Sequence, residues 1–239
     1  MVAEVLLFVV GLVLLYFGAE ALVGGSSAIA IELGVKPLVV GLTVVAFGTS
    51  SPELLVCLTA AIEHTSATDQ ISIGNIIGSN IANIALILGI ASLINPIQVT
   101  QRAVRREYPL MLAASVLLVV VIVLDPTGAL VLSRLDGGLL LSGMIGYLLY
   151  SYVTSLYSDV DEEEDEEPPA VELDEVEEAA EEETPMWVNV TKIVFGIGGL
   201  GIGAYWMVES SVVIARALEV PELVIGISIV AFGTSIPEL

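Results

Sequence analysis

The nonapeptide AFGTSSPEL, Ala46–Leu54, returns with one change as AFGTSIPEL, Ala231–Leu239, 185 positions later. Each copy carries a glutamate, Glu53 or Glu238, in otherwise apolar surroundings. The same shift aligns Gly11 with Gly196, Gly18 with Gly203, Val23 with Val208, Ser26 with Ser211, Ile29 with Ile214, Leu33 with Leu218 and Gly41 with Gly226. A two-helix unit has therefore been duplicated around the motif.

The surroundings belong in a bilayer. The chain has 239 residues, 56% of them hydrophobic, with a mean hydropathy of +0.91. Apolar runs at about 5–30, 38–62, 71–94, 108–124, 138–156 and 187–215, and a last one from Leu223, approach or exceed the ~20 residues that cross a bilayer as helix. The first run carries Glu4 in place of a basic leader and is too long for a signal peptide, so it reads as a retained span. Five spans separate equivalent positions of the two copies. That number is odd, so the copies are expected to cross the membrane in opposite directions, as an inverted repeat with a binding site between them at the midplane.

The formal charge of −22 is concentrated in one place: sixteen of the 29 acidic residues lie between Asp159 and Glu183. This tract cannot bury enough apolar surface to fold alone and reads as a self-repelling linker. The expected organisation is a first repeat over 1–157, an acidic linker over 158–187, and the start of a second repeat over 188–239. Lys36, Arg102, Arg105, Arg106 and Lys192 fall on one side of the membrane, against Arg134 and Arg216 on the other. That imbalance puts the N-terminus outside and the linker in the cytoplasm. Cys57 is the only cysteine, so no internal disulfide can form.

In the second run Ala46, Thr49, Ser50 and Glu53 fall at i, i+3, i+4 and i+7, on one helix face. Pro52 has no N–H, so the carbonyl of Gly48 loses its helical donor and the helix is expected to kink or break. Carbonyl, hydroxyl and carboxylate oxygens then collect on one side, a set suited to hard cations such as Ca²⁺ and Na⁺. A single copy would also fit hydroxyls bonded back to their own helix beside a simple proline kink. An ionised carboxylate in mid-membrane, present twice, points instead to an ion path. The third run, ISIGNIIGSNIANIALILGI, sets Asn75, Ser79 and Asn83 at i, i+4 and i+8, with Gly74 and Gly78 thinning that helix for a close neighbour. Such a stripe serves equally as helix-packing glue; its position after Glu53 favours ligands. Glu20 and Glu209 do not align under the shift and read as interfacial, and His64 as a solvated loop residue. No phosphate loop, dinucleotide fingerprint, zinc-protease pair or nucleophile elbow occurs, which leaves enzyme chemistry without a foothold. The acidic charge disfavours nucleic acid.

GLTVVAFGTSSPELL with GNIIGSNIANI, followed by GISIVAFGTSIPEL, resembles the two signature repeats of the calcium/cation antiporter superfamily, closest to its prokaryotic sodium/calcium exchanger branch. The resemblance implies an all-α integral membrane protein of ten helices in two inverted sets, of which this chain would hold about six complete spans and part of a seventh. It implies no enzyme and no cofactor, with Ca²⁺ and Na⁺ as transported ions in a multi-pass cell-membrane protein. By motif position it makes Glu53 and Glu238 the central carboxylates. Thr49, Ser50, Thr234 and Ser235 would add hydroxyl or backbone oxygens, Ala46 and Ala231 carbonyls, and Ser79 and Asn83 the rest of the first half. The stop at Leu239 leads to the expectation that the reading frame continues and supplies the remaining helices from the same chain. The alternatives are a proton/calcium antiporter and a membrane-anchored calcium-binding protein using the acidic tract.

Overall fold

Within lipid, backbone polar groups must find partners inside their own segment, so apolar runs of this length fold as helices. The computed structural model describes residues 1–35, 40–63, 65–97, 99, 101, 104–105, 108–124, 132–157 and 184–238; the side chains at 42, 151–157 and 238 fall outside that description. Lys36, His64, Arg102, Arg106, the acidic tract and the Glu238 side chain thus lie outside the described residues, and no strand occurs among those described.

In chain order the helices are α1 (Val2–Glu32), α2 (Ala46–Thr49), α3 (Ser51–Glu63), α4 (Ser66–Ile81), α5 (Leu88–Ile94), α6 (Tyr108–Val123), α7 (Arg134–Tyr157), α8 (Met186–Ala217), α9 (Glu222–Ile225) and α10 (Ala231–Thr234). Wide π-helical turns at Gly41–Val45, Ala82–Ile87 and Gly226–Val230 lead into α2, α5 and α10, and a 3₁₀ turn at Ile236–Glu238 follows α10. Three of these are long and apolar enough to cross a membrane: α1, the continuous Ser66–Ile94 segment, and α8. The bent pair Thr43–Thr49 and Ser51–Glu63 would be a fourth. The chain divides into two compact units, residues 1–96 with 168–239, and residues 97–167. The second holds α6 and α7. Helix α6 is apolar all round and buries no residue, with Met111, Leu112 and Val119 all exposed.

The core of the first unit gathers Leu15, Val56, Ile71, Leu200, Met207, Val208 and Val230. Its spine is the antiparallel pair α1 and α8. A methyl added at Gly11 would lie 2.9 Å from the Gly203 carbonyl, and one at Gly203 would lie 2.8 Å from the Gly11 carbonyl. Gly18 and Gly196 face each other in the same way, at 3.0 and 2.8 Å. Under the 185-residue shift Gly11 is the equivalent of Gly196 and Gly18 of Gly203, so each contact maps onto the other with the copies exchanged.

The copies also end their first helices alike. After α1, Gly34 takes φ +83° and Val35 N–H returns to the Ala30 carbonyl at 3.0 Å; after α8, Glu219 takes φ +55° and Val220 N–H returns to the Ala215 carbonyl at 3.0 Å. Both are left-handed helix terminations. Glycine adopts that backbone freely, whereas a glutamate does so under strain.

Candidate functional site

The motif breaks its helix where the sequence leads one to expect. After α2 the backbone of Ser50 leaves helical values (φ −82°, ψ 3°), the chain bends by 50°, and α3 begins at Ser51. Pro52 then occupies the first turn of a new helix, where its missing N–H removes nothing. Glu53 stands in the same turn, beside the first amide groups of α3. Its side chain is buried, 7% exposed.

The second copy repeats this path. A π turn leads into α10, and Ser235 takes φ −86°, ψ 3°, within a few degrees of Ser50. Here Ala231, Thr234 and Ser235 are all buried. The Ser235 hydroxyl donates to Glu53 Oε1 at 3.4 Å, a long hydrogen bond that joins the two copies in the interior. The Thr234 hydroxyl donates to Asn75 Oδ1 at 3.0 Å and lies 3.2 Å from the Ala231 carbonyl.

Helix α4 brings the third group of residues. It starts cleanly because Thr65 and Thr68 cap one another: the Thr68 N–H donates to Thr65 Oγ1 at 3.2 Å and the Thr65 N–H to Thr68 Oγ1 at 3.1 Å. From that anchor α4 runs beside the second copy, so closely that a methyl at Gly74 would lie 2.7 Å from the Leu223 carbonyl, and one at Gly78 would overlap Ile227 and Ala231. The thinning expected of these glycines is thus used against the second motif copy. Ser79 is buried and its hydroxyl donates to the Ile76 carbonyl at 3.2 Å. Asn83, half-buried, lies in the π turn Ala82–Ile87, which widens the helix and ends the simple i, i+4, i+8 stripe; its Oδ1 is buried without a hydrogen-bond partner among the described residues. Asn80, off the stripe, is exposed and bonds back to the Ile76 carbonyl.

Two hydrogen bonds therefore pair Asn75 with Thr234 and Glu53 with Ser235, and Ala231 packs against Gly78. The first-copy members Ala46, Thr49 and Ser50 are less enclosed: Ala46 and Ser50 are exposed, and the half-buried Thr49 bonds to the Ala46 carbonyl at 3.4 Å. Asn75 belongs to the stripe that the sequence favours as ligands, although the family resemblance implies roles only for Ser79 and Asn83 within it. Its signal was present, since it lies one turn before Ser79 on the same face. Every atom offered is oxygen or amide nitrogen. Among the described residues no group of three or more His, Cys, Asp or Glu could hold a metal ion, and Glu53 is a buried carboxylate there.

The sodium/calcium exchanger protein family matches residues 3–153 and 189–239. An uncharacterised membrane protein of Methanocaldococcus jannaschii, MJ0091, is 36% identical over 232 residues, covering 97% of this chain and 68% of the relative. The sodium/calcium exchanger MaX1 of Methanosarcina acetivorans is 32% identical over 254 residues, covering 98% and 72%. Among solved structures, the sodium-calcium exchanger NCX_Mj soaked with Na⁺ and Ca²⁺ matches with a TM-score of 0.55 and 32% identity, over 100% of this chain and 70% of that one.

Proposed function

The chain belongs to the sodium/calcium exchanger family, and from that premise we propose that it is a sodium/calcium antiporter whose two motif copies form one cation site in the membrane interior. The observation that carries this reading is the hydrogen bond from Ser235 to Glu53, a buried link between residues 182 positions apart in the two copies. An inverted repeat accounts for it: the reciprocal glycine contacts of α1 and α8 are what a two-fold axis in the membrane plane produces.

In this mechanism Glu53 and Glu238 are the shared carboxylates, Ser79 and Asn83 serve from α4 and its π turn, and the hydroxyls and carbonyls of Ala46, Thr49, Ser50, Ala231, Thr234 and Ser235 complete the oxygen set. The Ser235 hydroxyl donates to Glu53. When a cation arrives the hydroxyl rotates and offers a lone pair, since a serine oxygen both donates and accepts. Two carboxylates give the empty site a charge near −2, which is costly to carry through a low-dielectric barrier, so the empty carrier seldom reorients. One Ca²⁺, or two or more Na⁺, neutralises it. Loading by ions that compete for the same oxygens then makes exchange obligatory, with each side of the membrane opened in turn. Calcium suits the site better than magnesium, which releases its waters reluctantly. The N-terminus lies outside and the acidic linker in the cytoplasm.

Proton coupling is the second reading, favoured by the burial of Glu53, because a desolvated carboxylate can carry a proton in place of a metal ion. Uptake of ⁴⁵Ca²⁺ into sodium-loaded vesicles separates the two. The sodium reading expects uptake that collapses when external sodium equals internal sodium; uptake that ignores sodium and follows a pH gradient would transfer the assignment to protons.

A further inference from the structure

Thr234 has one hydroxyl hydrogen and two acceptors within reach, Asn75 Oδ1 at 3.0 Å and the Ala231 carbonyl at 3.2 Å. Its counterpart Thr49 has the Ala46 carbonyl at 3.4 Å and no second acceptor among the described residues. Asn75 is completely buried, and besides Thr234 its amide has the Cys57 thiol, a weak acceptor, as a neighbour. Burying an amide half satisfied is unfavourable, so packing alone would select an apolar residue here. We propose that Asn75 is a positioning residue for the transported cation: it draws the Thr234 hydrogen away from the Ala231 carbonyl. That carbonyl and the Thr234 lone pairs are then free to face the ion. This rests on the reading of Thr234 and Ala231 as ion-facing oxygens.

The chemistry follows from counting lone pairs. A threonine that donates to the carbonyl three residues earlier occupies part of that oxygen, and an arriving cation must break the bond. A threonine whose hydrogen is held elsewhere presents two oxygens at once, with no reorientation needed. A neutral amide does this without adding charge beside Glu53, which an aspartate in its place would do. The close approach of α4 at Gly74 brings the acceptor within range.

The test is a cycle of variants in the full protein, reconstituted in vesicles and assayed by ⁴⁵Ca²⁺ uptake against a sodium gradient. Asn75→Ala, Asn75→Leu and Thr234→Val should each raise the KM for Ca²⁺ about five- to tenfold, as loss of one hydrogen bond or ligand implies, with maximal rate little changed. Alanine leaves a cavity and leucine fills it, so equal shifts from the two point to the lost acceptor. If leucine prevents folding, alanine carries the cycle alone. In the Thr234→Val background the Asn75 substitutions should add nothing further. A full additional loss there, or a normal KM in Asn75→Leu with a raised one in Asn75→Ala, would overturn the positioning role while leaving the site intact. A normal KM in Thr234→Val would instead remove Thr234 from the site, and the proposal with it.

Discussion

Glu53 combines two conditions that rarely coincide: it is buried in an apolar protein, and it sits in the first turn of a helix. Glu53→Gln keeps the shape and removes the charge. Loss of a charged partner of this kind should weaken Ca²⁺ binding by about 10–100-fold, which ⁴⁵Ca²⁺ equilibrium binding would register; unchanged affinity would exclude Glu53 from the site. Glu219 makes an independent case. It holds a left-handed backbone at φ +55° where the first copy has Gly34, and an ordinary residue in that conformation is strained by about 1–2 kcal/mol. Glu219→Gly should therefore raise the thermal unfolding midpoint without altering transport, and a lowered midpoint would mean that the Glu219 side chain contributes more than its backbone costs.

At the scale of elements, the α1–α8 crossing depends on four glycines whose contacts are reciprocal. Gly11→Ala and Gly203→Ala each push a methyl to under 3 Å from the opposite carbonyl, and overpacking of this kind costs about 1–3 kcal/mol. The two should lower the unfolding midpoint by similar amounts. Gly198→Ala, where a methyl meets nothing within 4 Å, should be neutral or slightly stabilising. A large difference between the two contact variants would contradict the exchange of roles seen in the contacts. Much of this was legible in the sequence. Repetition exposed the motif, Pro52 announced the break, and Gly74 and Gly78 announced a close neighbour. The π turns were not legible, because one residue more per turn leaves no mark in composition or hydrophobic period, and so the position of Asn83 could not be derived from spacing. Nor could the pairing of Asn75 with Thr234, since a distance of 159 residues along the chain is closed only by tertiary packing.

For the whole molecule, the proposal assigns transport to the two-copy core and treats the acidic tract as a linker. Deleting residues 161–183 should leave sodium-driven calcium uptake within about twofold of the intact protein, as expected of a segment that cannot bury apolar surface; loss of both calcium binding and flux would favour the calcium-binding alternative. On this proposal the core binds its two ions at one place. Displacement of ⁴⁵Ca²⁺ from the purified protein by Na⁺ at equilibrium measures this directly. Shared oxygens predict strict competition, in which more calcium restores full occupancy at any sodium concentration, with a displacement curve steeper than one-for-one because two or more Na⁺ replace each Ca²⁺. Calcium that stays bound at saturating sodium would contradict a single shared site.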